Sequence, residues 1–362
     1  MQRWLLHPTE PGLHDRGEEW GGWDRGAVTA LDRALGAFYG LVIGDALGMP
    51  SQMLPRAVVR DLFGEMPWFA PGPEVNEISA GLAAGRVTDD TDQAMIVART
   101  LIDGGGEIDP ALLAERLLDW ERAMAAAGSL DLLGPSTKRA LAAVSAGAAP
   151  GDSGRAGDTN GAAMRITPVG IATPARPLDR LVDAVAAASR LTHDTTVAIS
   201  GASAVAAAVS AGVDGADVAA AISLAQAAAD IGACHGHYVP AASVAERIEW
   251  AVGLVDGLDD EDALEVIDRL VGTGVATQEA VPAAFAIAAL APDDPWRACR
   301  LAARLGGDSD TVAAMAGAVV GACCGLSALP ADAVQLVRTV NDLHVEPVVD
   351  GLLALRSKAS HD

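Results

Sequence analysis

A chain of 362 residues with 51% apolar side chains has ample material for a large core, which excludes a wholly disordered protein. Its formal net charge of −23 sets up a field that repels DNA, RNA and anionic lipid, so no nucleic-acid partner and no membrane partner is expected. Aromatic residues make up only 4% while glycine occurs 39 times, a composition that lets helix backbones approach one another closely.

In chain order, residues 1–28 read as an N-terminal arm. They hold Pro8, Pro11, Gly12, Gly21 and Gly22 with Trp4, Trp20 and Trp23, and show no clean periodicity. No basic region followed by an apolar stretch opens the chain, so a secretory signal is not expected. Residues 29–362 read as one all-α domain. Leu31, Leu35, Phe38, Val42 and Ala46 recur at three- and four-residue steps and predict the first helix. Similar patterns follow at 90–103, 110–126, 136–146, 178–190, 196–211, 216–229, 242–256, 260–271, 278–290, 295–304, 311–325 and 331–355. Pro110, Pro135, Pro177, Pro282, Pro295 and Pro330 punctuate them, several near helix starts, where a missing N–H costs nothing. No run of alternating β-branched residues suggests a strand. The expectation is a compact single-domain orthogonal bundle of roughly a dozen helices. Residues 311–329 carry no charge and are long enough to raise the question of a membrane span, but they are rich in Ala, Gly and Ser and lack interfacial aromatics, so a buried core helix is expected. Cys234, Cys299, Cys323 and Cys324 make no C-x-x-C pair, which suits a reducing cytoplasm.

Two helix openings stand out. "TDDTDQ" at 88–93 and "GGDSDT" at 306–311 each crowd hydroxyls and carboxylates directly before an apolar helical run. Asp, Ser and Thr cap helices by accepting hydrogen bonds from the first free N–H groups, and carboxylates suit the positive end of the helix dipole. One cap suffices for that role, and a second carboxylate adds repulsion. If the two openings met, Asp89, Asp90, Asp308 and Asp310 would supply four negative charges beside Thr88 and Thr311, the oxygen donors that hard divalent cations take. The residues by themselves fit both readings, two independent caps or one cation site.

The stretches "GLVIGDALGMPSQ" (40–52), "VTDDTDQAM" (87–95), "GDTNGAAMRITPVG" (157–170), "LTHDTTVAISGASA" (191–204), "GTGVATQEAVPAAF" (272–285) and "LGGDSDTVAAMAGAVVGA" (305–322) together resemble the ADP-ribosylglycohydrolase family. The resemblance implies an all-helical fold around a cleft holding two Mg²⁺ or Mn²⁺ ions, with Thr88, Asp89, Asp90, Asp308, Asp310 and Thr311 as metal ligands. It also implies hydrolysis of the glycosidic bond at ribose C1 of ADP-ribosylated substrates, with Asp158, Asn160, Gly161, His193 and Gly307 near the substrate.

Two positions depart from the family pattern. Gln52 stands where a glutamate is usual, and a carboxamide takes up no proton at neutral pH. Another catalytic acid, Asp90 or Asp308, would then serve as base, with the Gln52 carbonyl oxygen coordinating a cation or positioning water. Otherwise Glu65, Glu74 or Glu77 on the following loop would serve, or the chain would be a non-catalytic relative. Asp158 stands in the loop expected near the substrate phosphates, where a carboxylate repels a pyrophosphate. If it faced the ligand, a nucleoside or another small ribosyl compound would suit the site better. If it merely capped a helix or paired with Arg155 or Arg165, that argument would lapse. Trp68 and Phe69 could stack on a base or simply pack, and Asp45, mid-helix among apolar residues, is expected to be a buried hydrogen-bonding acid beneath the site.

Overall fold

The computed structural model describes residues 28–129 and 133–359. The expected arm at 1–28 lies outside the described residues apart from Val28. Among the described residues there are sixteen α-helices: α1 (Ala30–Gly48), α2 (Arg56–Phe63), α3 (Asp89–Asp103), α4 (Pro110–Ala126), α5 (Pro135–Ser145), α6 (Thr167–Ala172), α7 (Leu178–His193), α8 (Thr196–Val213), α9 (Val218–Gly232), α10 (Val244–Val255), α11 (Asp260–Val266), α12 (Thr277–Leu290), α13 (Pro295–Ala303), α14 (Ser309–Cys324), α15 (Ala331–Asn341) and α16 (Glu346–Ala359). Extended pairing among them is limited to two isolated bridges, Thr159 with Ala276 and Thr195 with His237.

The all-α expectation therefore holds, with three additions. The short helices α2 and α6 escaped the periodicity, and the expected helix at 331–355 is two helices. Asp342 adopts a left-handed conformation (φ 51°) that ends α15.

The centre of the bundle is an antiparallel pair, α1 and α14, whose backbones touch. A Cβ added at Gly36 would sit 2.3 Å from the carbonyl oxygen of Gly321, at Gly40 2.1 Å from that of Gly317, and at Gly44 2.1 Å from that of Ala313. At Gly48 it would meet the Cα of Asp310 at 2.3 Å. Glycine inside a helix costs about 1 kcal/mol relative to alanine, so this four-residue stripe is retained for the approach it permits. The pair is clamped in register along its whole length, and its last contact delivers Asp310 to the C-terminal end of α1.

Helices α8, α12 and α13 pack around this pair. Almost every residue of α8 is buried, and so is nearly all of α14. α8 is long and apolar enough to cross a membrane, yet 94% of it is enclosed by protein, and α14, uncharged after Asp310, is likewise a core helix. Trp68, Phe69 and Trp296 pack on one another with ring centroids 5.2–5.7 Å apart, and neither Trp68 nor Phe69 lines the cleft described next.

Candidate active site

Helix α1 ends at Gly48, and the chain turns through Ser51 and Gln52. The turn is fixed from the other side. Met53 N–H donates to Gly307 O at 2.5 Å and Gly307 N–H to Leu54 O at 2.9 Å. Gly307 has φ 59°, and a Cβ there would lie 2.3 Å from Thr273 Oγ1. Gly307 is thus the turn that aims Asp308, whose own N–H donates to Thr273 O at 2.6 Å. It is not among the residues lining the cleft.

The second opening is hung from α1. Asp45, fully buried, accepts from Thr88 N–H at 2.9 Å, Thr88 Oγ1 at 2.8 Å, Thr91 N–H at 3.1 Å and Thr91 Oγ1 at 2.5 Å. One carboxylate of α1 therefore caps α3 from outside, and burial pushes its carboxyl up to about 6 against the pull of those bonds. The two openings then meet directly. Thr311 Oγ1 donates to Asp90 Oδ2 at 3.2 Å, joining α14 to α3 across 221 residues of sequence.

Around this junction lies a cleft of about 140 Å³. Asp89, Asp308, Asp310 and Thr311 form its acidic floor, with Gln52, Asn160 and Gly161 beside them. Thr137 and Thr159 contribute hydroxyls, and Met53, Ile78, Met164 and Val275 are apolar walls. Asn160 is held by its N–H on Val275 O at 2.9 Å and donates its Nδ2 to Asp308 Oδ2 at 2.5 Å. No Lys or Arg is found among the described lining residues.

Carboxylates are crowded here. Burial, then Asp310, Asp89, Asp45 and Asp308, push the Asp90 carboxyl well above the usual range. Burial, then Asp308, Asp45 and Asp89, do the same to Asp310. Asp308 is pushed up to about 6 by burial although the bond from Asn160 pulls the other way. Asp90 Oδ1 and Asp310 Oδ1 are buried without a hydrogen-bond partner, which is costly for a carboxylate. Two orphaned hard oxygens among four acids and two threonines fit divalent cations in charge and donor type. Among the described residues no three His, Cys, Asp or Glu side chains are already drawn into a cage. Each of three acids is instead held by a neighbour: Asp89 Oδ2 by Gln93 Nε2 at 2.5 Å, Asp308 by Asn160 and Asp90 by Thr311.

Other expected residues fall elsewhere. Gln52 lines the cleft and is only 4% exposed, and its Nε2 has no partner. Glu65, Glu74 and Glu77 are exposed and do not line it. Asp158 does not face the cleft. It is a surface side chain whose nearest cation is Arg139, 3.9 Å away, while its carbonyl accepts from Thr277 Oγ1 at 3.0 Å. The argument for an uncharged substrate drawn from Asp158 is thereby removed. His193 lies one layer below, fully buried behind Gly161, where an added Cβ would be 2.8 Å from its ring.

Sequence reasoning missed a buried polar chain under the cleft floor. Arg165, 1% exposed, donates Nη1 to Gln93 Oε1 and Nη2 to Thr192 Oγ1, both at 2.6 Å. Thr192 Oγ1 is 2.7 Å from His193 Nδ1, and His193 Nε2 is 3.0 Å from Thr159 Oγ1. Burial lowers the Arg165 guanidinium to about 10 while Asp89 opposes this, and burial with Arg165 and Arg139 holds the His193 imidazole well below its ordinary value. Gln93 could have been found from its spacing, four residues after Asp89 on one helix face.

The sequence profile of the ADP-ribosylglycohydrolase family matches residues 27–361. The chain is 38% identical over 328 residues to the uncharacterised protein YegU of Escherichia coli K12, covering 90% of this chain and 98% of that one. It is 32% identical over 166 residues to the ADP-ribosyl-dinitrogen reductase glycohydrolase of Rhodospirillum rubrum, or 45% of this chain and 52% of that one. A solved structure titled ADP-ribosylglycohydrolase-related protein complex superposes with a TM-score of 0.60 at 28% identity, over 92% of this chain and 100% of that chain. The protein belongs to the ADP-ribosylglycohydrolase family, a family of enzymes that hydrolyse glycosidic bonds.

Proposed function

We propose that the protein removes ADP-ribose from a modified acceptor by cleaving the bond at ribose C1, with two Mg²⁺ or Mn²⁺ ions held by Thr88, Asp89, Asp90, Asp308, Asp310 and Thr311. The observation that carries this is the Thr311–Asp90 hydrogen bond, which joins the two acidic openings, together with the unpartnered oxygens of Asp90 and Asp310. When bound, the cations would offset the crowded negative charge, orient ribose hydroxyls and acidify water.

The chain's own groups supply the rest. Asn160 holds the Asp308 carboxylate towards the cleft. Asp308 lines the cleft and Asp90 does not, so Asp308 takes the proton of the attacking water in place of the glutamate that Gln52 replaces. Gln52 keeps a polar amide over the cleft and serves as a donor to substrate. The four cysteines are unpaired, which supports a reducing cytoplasmic setting.

The test is release of ADP-ribose from ADP-ribosyl-arginine with Mg²⁺ or Mn²⁺. Activity abolished by EDTA and by Asp308→Ala is expected, and full activity in EDTA would overturn the reading. A second reading, hydrolysis of an uncharged ribosyl compound, draws on the lack of Lys and Arg among the described lining residues. Simple nucleosides in the same assay separate the two.

A further inference from the structure

The buried chain beneath the cleft has a fixed polarity, and its polarity follows from its one permanent donor. Arg165 carries N–H groups and no acceptor. Its Nη1 therefore requires Gln93 to present Oε1, at 2.6 Å, and this turns Gln93 Nε2 towards Asp89 Oδ2. On the other arm, Nη2 occupies a lone pair of Thr192 Oγ1.

The Thr192 hydroxyl must still place its own proton. Thr192 is fully buried, and the acceptor at hand is His193 Nδ1 at 2.7 Å. Were Nδ1 protonated instead, the Thr192 proton would be stranded in the core, and a buried donor left unmade is costly. So Nδ1 accepts, and the neutral ring carries its proton on Nε2. That proton points at Thr159 Oγ1, 3.0 Å away. Thr159 then accepts from the ring, and its own O–H is free to turn outward. Thr159 is half-buried and lines the cleft beside Asn160 and Gly161.

We infer that Arg165, acting through Thr192 and His193, orients the Thr159 hydroxyl as a hydrogen-bond donor to an acceptor oxygen of the substrate. Thr159 is a substrate-binding residue, and Arg165, Thr192 and His193 are positioning residues. The substrate contact rests on the function proposed above, whereas the proton arrangement does not.

Two measurements on the full chain in Mg²⁺ test this. The first is the histidine tautomer, read from long-range proton–nitrogen spectra of histidine-labelled protein. A neutral His193 protonated on Nε2 is expected, and Thr192→Val should mix the two tautomers. A proton on Nδ1, or a Thr192→Val spectrum identical to the unaltered protein's, overturns the relay. The second is ADP-ribose affinity by calorimetry, with KM and kcat on ADP-ribosyl-arginine. Thr159→Val should weaken binding about threefold to tenfold and raise KM more than it lowers kcat, whereas Thr159→Ser should stay within about twofold of the original because it keeps the hydroxyl. Unchanged affinity in Thr159→Val overturns the contact. Failure of the unaltered protein to bind ADP-ribose counts against the proposed function, and the tautomer then decides the relay by itself.

Discussion

The two ends of the α1–α14 pair are built from the same glycine seam and finish in opposite ways. At the end formed by the start of α1 and the close of α14, Asp32 and Arg33 are both answered by neighbouring groups. Arg33 donates to the carbonyls of Gly212, Ala322 and Cys323, satisfying the open C-terminal turn of α14. Asp32 accepts from the N–H and hydroxyl of Ser327, both at 3.3 Å. At the other end Asp308 and Asp310 meet Asp89 and Asp90, and two carboxylate oxygens have no partner. One end is a finished helix junction and the other leaves two carboxylate oxygens unpartnered beside a cleft. The difference separates groups that hold the fold from groups the fold holds in place.

The comparison breaks most completely at the seam the two ends share. Gly40→Val would force a side chain into the Gly317 carbonyl, 2.1 Å from the new Cβ. A loss of more than about 4 kcal/mol, with no cooperative melt near that of the original, is expected. Asp310→Asn tests the open end. Turnover with Mg²⁺ should fall by about a hundredfold, while in EDTA the same variant should melt higher than the original, because one of four like charges is gone.

A titration sharpens this further. Asp308 and Asp45 are raised to about 6, and Asp90 and Asp310 are raised as well. Raised acids favour the folded state fully below their unfolded values, near 4, and lose that contribution as pH rises through about 6. Thermal melts in EDTA should therefore fall between pH 5 and pH 7.5. Saturating Mg²⁺ should restore about 2.7 kcal/mol at a hundredfold excess over Kd, and melts with and without Mg²⁺ that coincide at pH 7.5 would refute the cation site.

At the finished end, Arg33→Met should cost about 2 kcal/mol and leave KM unchanged, as read by denaturant unfolding and the hydrolysis assay. The smallest effect belongs to Asp158→Asn, which should alter KM by less than about twofold, since this side chain stands at the surface beside Arg139.

Much of the architecture was legible because it is local. Three- and four-residue spacing announced most helices, and the acidic openings were visible because capping residues cluster where helices begin. The abundance of glycine foretold close backbones, though the register of Gly36, Gly40, Gly44 and Gly48 on α14 needed the structure. Helices α2 and α6 were too short, at 8 and 6 residues, to establish a period. The break at Asp342 is followed by Pro347 in the first turn of α16, a helix-start signal that the apolar spacing on either side masked. In the site, the convergence of Thr88–Asp90 with Asp308–Thr311 followed from the family motifs, since charge alone left two caps and one cation site equally open. The side-chain directions of Asp158 and His193 did not, because a loop residue's neighbours are set by distant elements. Arg139, for example, reaches the Asp158 loop from α5. The relay through Arg165 joins α3, α6's leading turn and α7, and no sequence spacing encodes such a path.

The glycine seam has one more consequence. Because the contact is peptide against peptide, it has no rotamers to relax and no methyl groups to trade, so the spacing between the acid-bearing tips behaves like a fixed gauge block. Substitutions among the side chains around the cleft then leave the gauge at the same length.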